Sequence, residues 1–382
     1  MSTAPRKSAR MTRPVRIPAL LIVAAVVWLG VAGCRGDDKG QPPPGPTIVR
    51  AEPSGEPRSV AVGFSSLPPE ETTESYIQAF ATAAQYGDII LIQRAPPWQE
   101  FFPNRQPSSA TLETTQLETS LLHEYDHLKL IYAIDPTDPS VQRSRLVDLP
   151  PGVSQDEGFL NENIRVAFVA YVRYVVKNYH PDYLVLGVEV NMLRQRSAKQ
   201  YAAFLSLYEE AYANAKDAEP DIKVFPSFQL EDLEGNLGDV HPPDWGALDD
   251  FAGRMDALGI STYPYLGDIR STQDLRADYF SQLRTRYGGE ILIAESGYAS
   301  APVEGEQLVG TEADQQAFLQ RLLGDAEANG FSAVIWRAAL DPTFAGQGAA
   351  AAFKDIGLRR GDGGNKVGWT TWEEWSRRPL EH

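Results

Sequence analysis

Cysteine is almost missing from this chain of 382 residues. The single one, Cys34, excludes a disulfide framework within the monomer. Positive charge is also short: 51 acidic side chains stand against 35 basic ones, for a net charge of −16 at pH 7. Such a surface repels polyphosphate, so nucleic acid is disfavoured as a partner. No glycine-rich phosphate loop follows the first apolar run, which reads Gly63-Phe64-Ser65-Ser66. No Ser-His-Asp order stands out either.

Long hydrophobic runs are absent with one exception, close to the N-terminus. Arg6, Lys7, Arg10, Arg13 and Arg16 precede it with no acid among them, and Ile17 to Gly33 is then almost wholly apolar. Basic region, apolar region and small residues, in that order, make a bacterial secretion signal. The closing Val31-Ala32-Gly33-Cys34 resembles a lipobox, in which the cysteine becomes a lipidated N-terminus after cleavage. An uncleaved transmembrane anchor is the alternative, but the run is barely long enough to span. Both readings tether the chain to a membrane of the bacterial envelope. Arg35 carries no obvious inner-membrane retention signal. Cleavage would take the net charge from −16 to −21. The expected organisation is a signal over 1–33, a Pro/Gly-rich tether over 34–58, and one domain over 59–378. That domain is expected to be a monomer.

Within the domain, short apolar runs alternate with helical patterns. The runs are Val60–Phe64, Asp88–Ile92, Leu128–Ala133, Tyr183–Gly187, Ile222–Phe225, Ala257–Ser261, Ile291–Ala294 and Ala333–Trp336. They are apolar on both faces, as parallel strands covered by helices should be. Thr72–Tyr86, Leu160–Tyr179, Ala198–Ala215 and Asp314–Asn329 have apolar residues at helical spacing. Eight such units predict a closed (β/α)8 barrel, a TIM barrel, rather than an open doubly wound sheet.

In such a barrel the residues just after each strand line one pocket. Here they are Ser65, Ser66, Gln93, Arg94, Asp135, Glu189, Asn191, Ser227, Gln229, Ser261, Tyr263, Glu295, Trp336 and Arg337, with Trp98 in a loop beyond. Two of these are glutamates that end apolar runs, Glu189 after Tyr183–Val188 and Glu295 after Glu290–Ala294. Facing carboxylates at this end of a barrel are equipment for cutting a glycosidic bond. Hydroxyls, amides and aromatic rings suit a sugar's two faces.

Gly63-Phe64-Ser65-Ser66-Leu67-Pro68 resembles the Ser-Ser-Leu-Pro signature of the arabinogalactan endo-β-1,4-galactanases, a clan A glycoside hydrolase family. Leu186-Gly187-Val188-Glu189-Val190-Asn191 is similar to that family's Val-Gly-Asn-Glu-Ile-Asn. Gly259-Ile260-Ser261-Thr262-Tyr263-Pro264 resembles its Gly-Leu-Ser-Tyr-Tyr-Pro, and Ala294-Glu295-Ser296-Gly297 its Glu-Thr-Gly segment. The resemblance spans about Ser59 to Trp375. It implies a retaining hydrolase of a β-linked glycan, galactan-like, with Glu189 as acid/base and Glu295 as nucleophile. Arg94 and Tyr263 are expected to keep Glu295 charged, and Trp98 and Trp336 to meet the sugar. One position departs from the pattern. The clan has asparagine just before the acid/base, on the sugar 2-hydroxyl, and here stands Val188. Asn191 and Gln229 are candidate substitutes. Otherwise the substrate differs at that carbon or activity is poor, and the competing expectation is a weak or silent barrel that binds glycans at the cell surface.

A rival motif, His123-Glu124-Tyr125-Asp126-His127, has the spacing of a zinc-protease helix. The apolar run from Leu128 follows at once, which leaves the helix no room to reach a third ligand. No metal and no cofactor are expected.

Overall fold

The computed structural model describes residues 42–237, 241–267, 269, 271–302, 310–345 and 348–381. Cys34 and the apolar run before it lie outside them. Among the described residues no helix is long and apolar enough to cross a membrane.

Nine parallel strands form one sheet: β1 (Ala61–Ser65), β2 (Ile89–Arg94), β3 (Lys129–Ile134), β4 (Tyr183–Leu186), β5 (Lys223–Phe225), β6 (Ser227–Gln229), β7 (Ala257–Thr262), β8 (Glu290–Ser296) and β9 (Ala333–Trp336). Their order is β5-β4-β3-β2-β1-β9-β8-β7-β6. The two ends of that order are halves of one strand position. Pro226 lacks an amide hydrogen, so the ladder is interrupted there. Below it β5 pairs with β4; above it β6 pairs with β7. The sheet therefore closes as the (β/α)8 barrel that the alternating runs predict.

Helices α1 (Thr73–Tyr86), α2 (Ser109–Glu124), α3 (Glu162–Tyr179), α4 (Val190–Arg196), α5 (Ala198–Ala218), α6 (Leu230–Leu233), α7 (Ser281–Arg286), α8 (Glu312–Ala328) and α9 (Val367–Arg377) lie in the connections and after β9. Side-chain caps set several starts: Thr72 accepts from the Ser75 amide, Asn161 from Ile164 and Thr311 from Asp314. On α3, Ile164, Phe168, Tyr171, Val172, Val175 and Val176 are buried, one stripe at 3.6-residue spacing.

Burial sorts the strand residues by parity, because successive side chains point to opposite faces. Ala61, Ile89, Leu91, Ile131, Ala133, Val185, Leu292, Ala333 and Ile335 fill the barrel lumen as one cluster. Their neighbours Ile90, Ile92, Tyr132, Leu184, Leu186, Val334 and Trp336 belong to a larger cluster under the helices. The alternation is invisible in the sequence because both faces are dry.

Residues 42–58 have no regular structure, yet they lie along the end of the barrel where the strands begin. The Gly45 amide donates to Glu124, Tyr125 Oη to the Pro46 carbonyl, and the Ser54 amide to the Arg377 carbonyl. Arg58 pairs with Asp88 at 2.8 Å and bridges Leu380 in parallel. From Pro42 onward the expected tether is thus laid on the domain.

Candidate active site

The site is the polar layer that caps the lumen core at the strand C-termini. Counting by twos from the lumen residues leads to Ser65 on β1, Gln93 on β2, Asp135 after β3 and Arg337 after β9. Two devices add the glutamates to this layer.

Glu189 follows a sharp exit from β4. Gly187 has φ +90°, where an added Cβ would meet the Phe204 ring at 2.6 Å. Val188 then tops the lumen core at 4 % exposure. Glu189 itself is left-handed at φ 52°, which costs a residue with a Cβ about 1–2 kcal/mol. Its amide donates to Ser227 Oγ at 3.1 Å, holding it to the upper half of the split strand.

Glu295 owes its direction to a bulge. Along β7 and β8, Ile260 pairs with Ile293 but Ser261 with Glu295, so Ala294 is the extra residue. The two glutamates then come together around Ser261. Its hydroxyl donates to Glu189 Oε1 at 2.7 Å, and its own backbone partner is Glu295.

Each carboxylate has its own arginine. Arg337 Nη1 lies 2.5 Å from Glu295 Oε2, and the Tyr263 hydroxyl donates to Oε1. Burial pushes the Glu295 carboxyl up; Arg337 opposes this, and the charge of Glu189 adds to the rise. On the other side Arg143 Nε donates to Glu189 Oε2 at 2.7 Å. Its Nη1 contacts Asp135 Oδ1 at 2.5 Å and the Thr137 carbonyl at 3.1 Å. Gln93 closes the row with a bond to Asp135 Oδ2 at 2.8 Å. Burial raises Asp135, with Arg143 opposing.

Arg143 carried no mark in the sequence. It sits in a small loop closed by the Thr137–Leu146 bridge, where Gln142 and Arg143 both have positive φ. A loop residue has no periodicity to betray it. Arg337 was visible on the rim but without a role.

Of the other expected residues, Tyr263 meets Glu295. Arg94 does not. It has outward parity, one past the lumen-facing Gln93, and pairs with buried Glu118 on α2. The cation on Glu295 is Arg337 instead. Trp336 also points outward, packed on Phe318 of α8, with Nε1 donating to the Ile356 carbonyl at 2.9 Å. It cannot floor a sugar from there. Trp98 is 2 % exposed, stacked near Phe168, and donates to the Val147 carbonyl at 2.7 Å. Asn191 holds the Gln229 backbone at both its amide and carbonyl and also donates to Asp232. Gln229 caps α6 through the Asp232 amide and donates to Glu231. Both amides lock loops, so neither replaces the asparagine that Val188 lacks.

The histidine motif falls at a helix end, and the apolar run from Leu128 is strand β3. Helix α2 stops at Glu124, and His127 Nε2 lies 2.9 Å from the Ala84 carbonyl. Among the described residues no cluster of histidine, cysteine and carboxylates could hold a metal.

No protein-family model matches this sequence, and no curated protein matches it. Solved structures do match in fold. An exo-β-1,4-mannosidase from Opitutaceae bacterium strain TAV5 aligns with TM-score 0.61 at 15% identity, over 87% of this chain and 62% of its own. The chain thus spans under two thirds of that enzyme's length. A GH5_18 protein from Bifidobacterium longum, in complex with Manβ1-4GlcNAc, aligns with TM-score 0.59 at 15% identity, over 80% and 74%. The GH53 catalytic domain of Ignisphaera aggregans aligns with TM-score 0.53 at 15% identity, over 86% and 99%. At such identity the likeness is one of fold, a (β/α)8 barrel shared with these proteins.

Proposed function

We propose that this chain is a glycoside hydrolase that cleaves a β-linked poly- or oligosaccharide with retention. The observation that carries the reading is the joint placement of Glu189 and Glu295 at the mouth, with Glu295 held by Tyr263 and Arg337. A carboxylate gripped by a cation and a hydroxyl at fixed positions suits a nucleophile. Glu295 attacks the anomeric carbon as the glycosidic C–O bond breaks. Glu189 gives its proton to the departing oxygen. Water then attacks the same carbon, returns a proton to Glu189 and releases Glu295. A β-1,4 linkage is common to the galactanase resemblance and to the mannosidase and the Manβ1-4GlcNAc complex, and is the linkage we favour.

Two observations favour a second reading, a silent barrel that only binds glycan. Val188 offers no contact to a sugar 2-hydroxyl. Both oxygens of Glu189 already accept hydrogen bonds, from Arg143 and Ser261. Incubation of residues 42–382 with a panel of β-glycans, with the product anomer followed by NMR, separates the two. Hydrolysis is expected with the β anomer first, and azide should partly rescue Glu189→Gln. Binding without cleavage across the panel would hand the site to the second reading.

We propose further that the protein is a bacterial envelope lipoprotein anchored at Cys34. Cys34→Ser should abolish labelling by a fatty-acid analogue and leave the precursor uncut. Equal labelling of both forms would sink this.

A further inference from the structure

Glu189 is an acceptor at both oxygens. A general acid needs a proton on one of them, and a protonated oxygen facing Arg143 Nε would set two donors against each other. Oε2 can carry that proton only once Arg143 has left it, whereas on Oε1 the Ser261 hydroxyl would have to turn and accept, with the Phe228 carbonyl within its reach. Arg143 does not leave for solvent unaided: the side chain is 3 % exposed and bound at the other end to Asp135 and Thr137.

The arginine's own geometry says what could draw it. The Nε–Nη2 edge of a guanidinium accepts a carboxylate through two parallel bonds. Glu189 fills only half of that edge, with Oε2 on Nε, because Oε1 is on Ser261. Nη2 has no hydrogen-bond partner among the described residues, while Nη1 is saturated by Asp135 and Thr137. A second carboxylate presented to the open half would compete for Nε as well and release Glu189.

We propose that the substrate is an acidic glycan, with a carboxylate such as that of a uronate on a sugar flanking the scissile bond, and that Arg143 is its receptor. This rests on the reading of the site as a glycosidase. The same event that recognises the substrate clears Arg143 from Glu189 Oε2, so recognition and the freeing of the acid/base oxygen are one step. It also answers the loss at Val188, since charge pairing replaces the missing hydroxyl contact.

The test compares matched aryl β-glycosides with wild-type protein. Phenyl β-glucuronide and phenyl β-galacturonide are set against the neutral glucoside and galactoside. Carboxyphenyl glycosides place the acid on the leaving side. At least one acidic member should exceed its neutral partner by roughly 100-fold in kcat/KM, equivalent to a charge-assisted bidentate pair. Arg143→Lys, which keeps the charge but not the fork, should erase most of that ratio. Calorimetric titration of the same ligands into Glu295→Gln reads binding without turnover; there too the acidic ligand should win, and lose its advantage when Arg143→Lys is added.

Neutral ligands turned over as well as acidic ones would overturn the acidic class while leaving the glycosidase standing. Acidic ligands bound preferentially but never cleaved would keep Arg143 as receptor and remove the glycosidase. Equal binding of both classes, with no cleavage, would remove both.

Discussion

On the proposed glycosidase reading, Glu295→Gln should lower turnover on the order of 10⁴-fold on the best β-glycan substrate, since the covalent route is then closed. The fold should survive, and stability should respond in a direction that pH reveals. Burial holds the wild-type carboxyl above its usual range in the folded state. A raised carboxyl contributes stability when protonated and loses it as pH climbs from the unfolded value, near 4.3, through the folded one. Glutamine cannot titrate. The melting temperature of the variant should therefore gain on wild type between pH 4 and pH 7. Circular dichroism melts at the two values measure it. Undiminished turnover would move the chemistry away from Glu295, and a gap that shrinks with pH would mean that Arg337 outweighs burial.

Glu118→Leu should be the most damaging single change to stability. Glu118 is fully buried between β2 and the helices, and accepts from Arg94, Tyr76 and Tyr179. Removing it takes the shared acceptor from Arg94, Tyr76 and Tyr179 at a fully buried point, a loss of about 3–5 kcal/mol. Adding Arg94→Met should return part of that, because deleting both members of an ion pair costs less than deleting one. Urea titration of the two single variants and the double one gives the cycle. A Glu118→Leu cost below 1 kcal/mol would show that the cluster is hydrated.

These two residues also show how far the sequence could be read. Apolar runs revealed the strands, and the glutamates that end two of them revealed the site, since a carboxylate after a dry run has no place in a core. Parity was hidden. Gln93 and Arg94 are adjacent and equally polar, yet one faces the lumen and the other the helices. A strand dry on both faces offers no alternation to count from, so Arg94 and Trp336 were expected in the cleft although they stand behind its wall. The bulge at Ala294 is similarly silent, because alanine fits a bulge and a regular strand alike. Arg143 was beyond reach for another reason. Its loop is placed by the Thr137–Leu146 bridge and by two left-handed residues, and only the folded chain brings it across to Glu189.

The bridge between Arg58 and Leu380 has a practical meaning for presentation. It brings the stretch leading into β1 and the stretch following α9 to the same pole, opposite the mouth. Any support attached upstream of Pro42 or beyond Glu381, whether a bead, a sensor chip or a bilayer, then holds the molecule by its base. The polar layer that holds Glu189 and Glu295 lies at the other end of the strands from that attachment. If the proposed hydrolase reading holds, immobilised protein should keep the solution rate on large glycans as fully as on small ones.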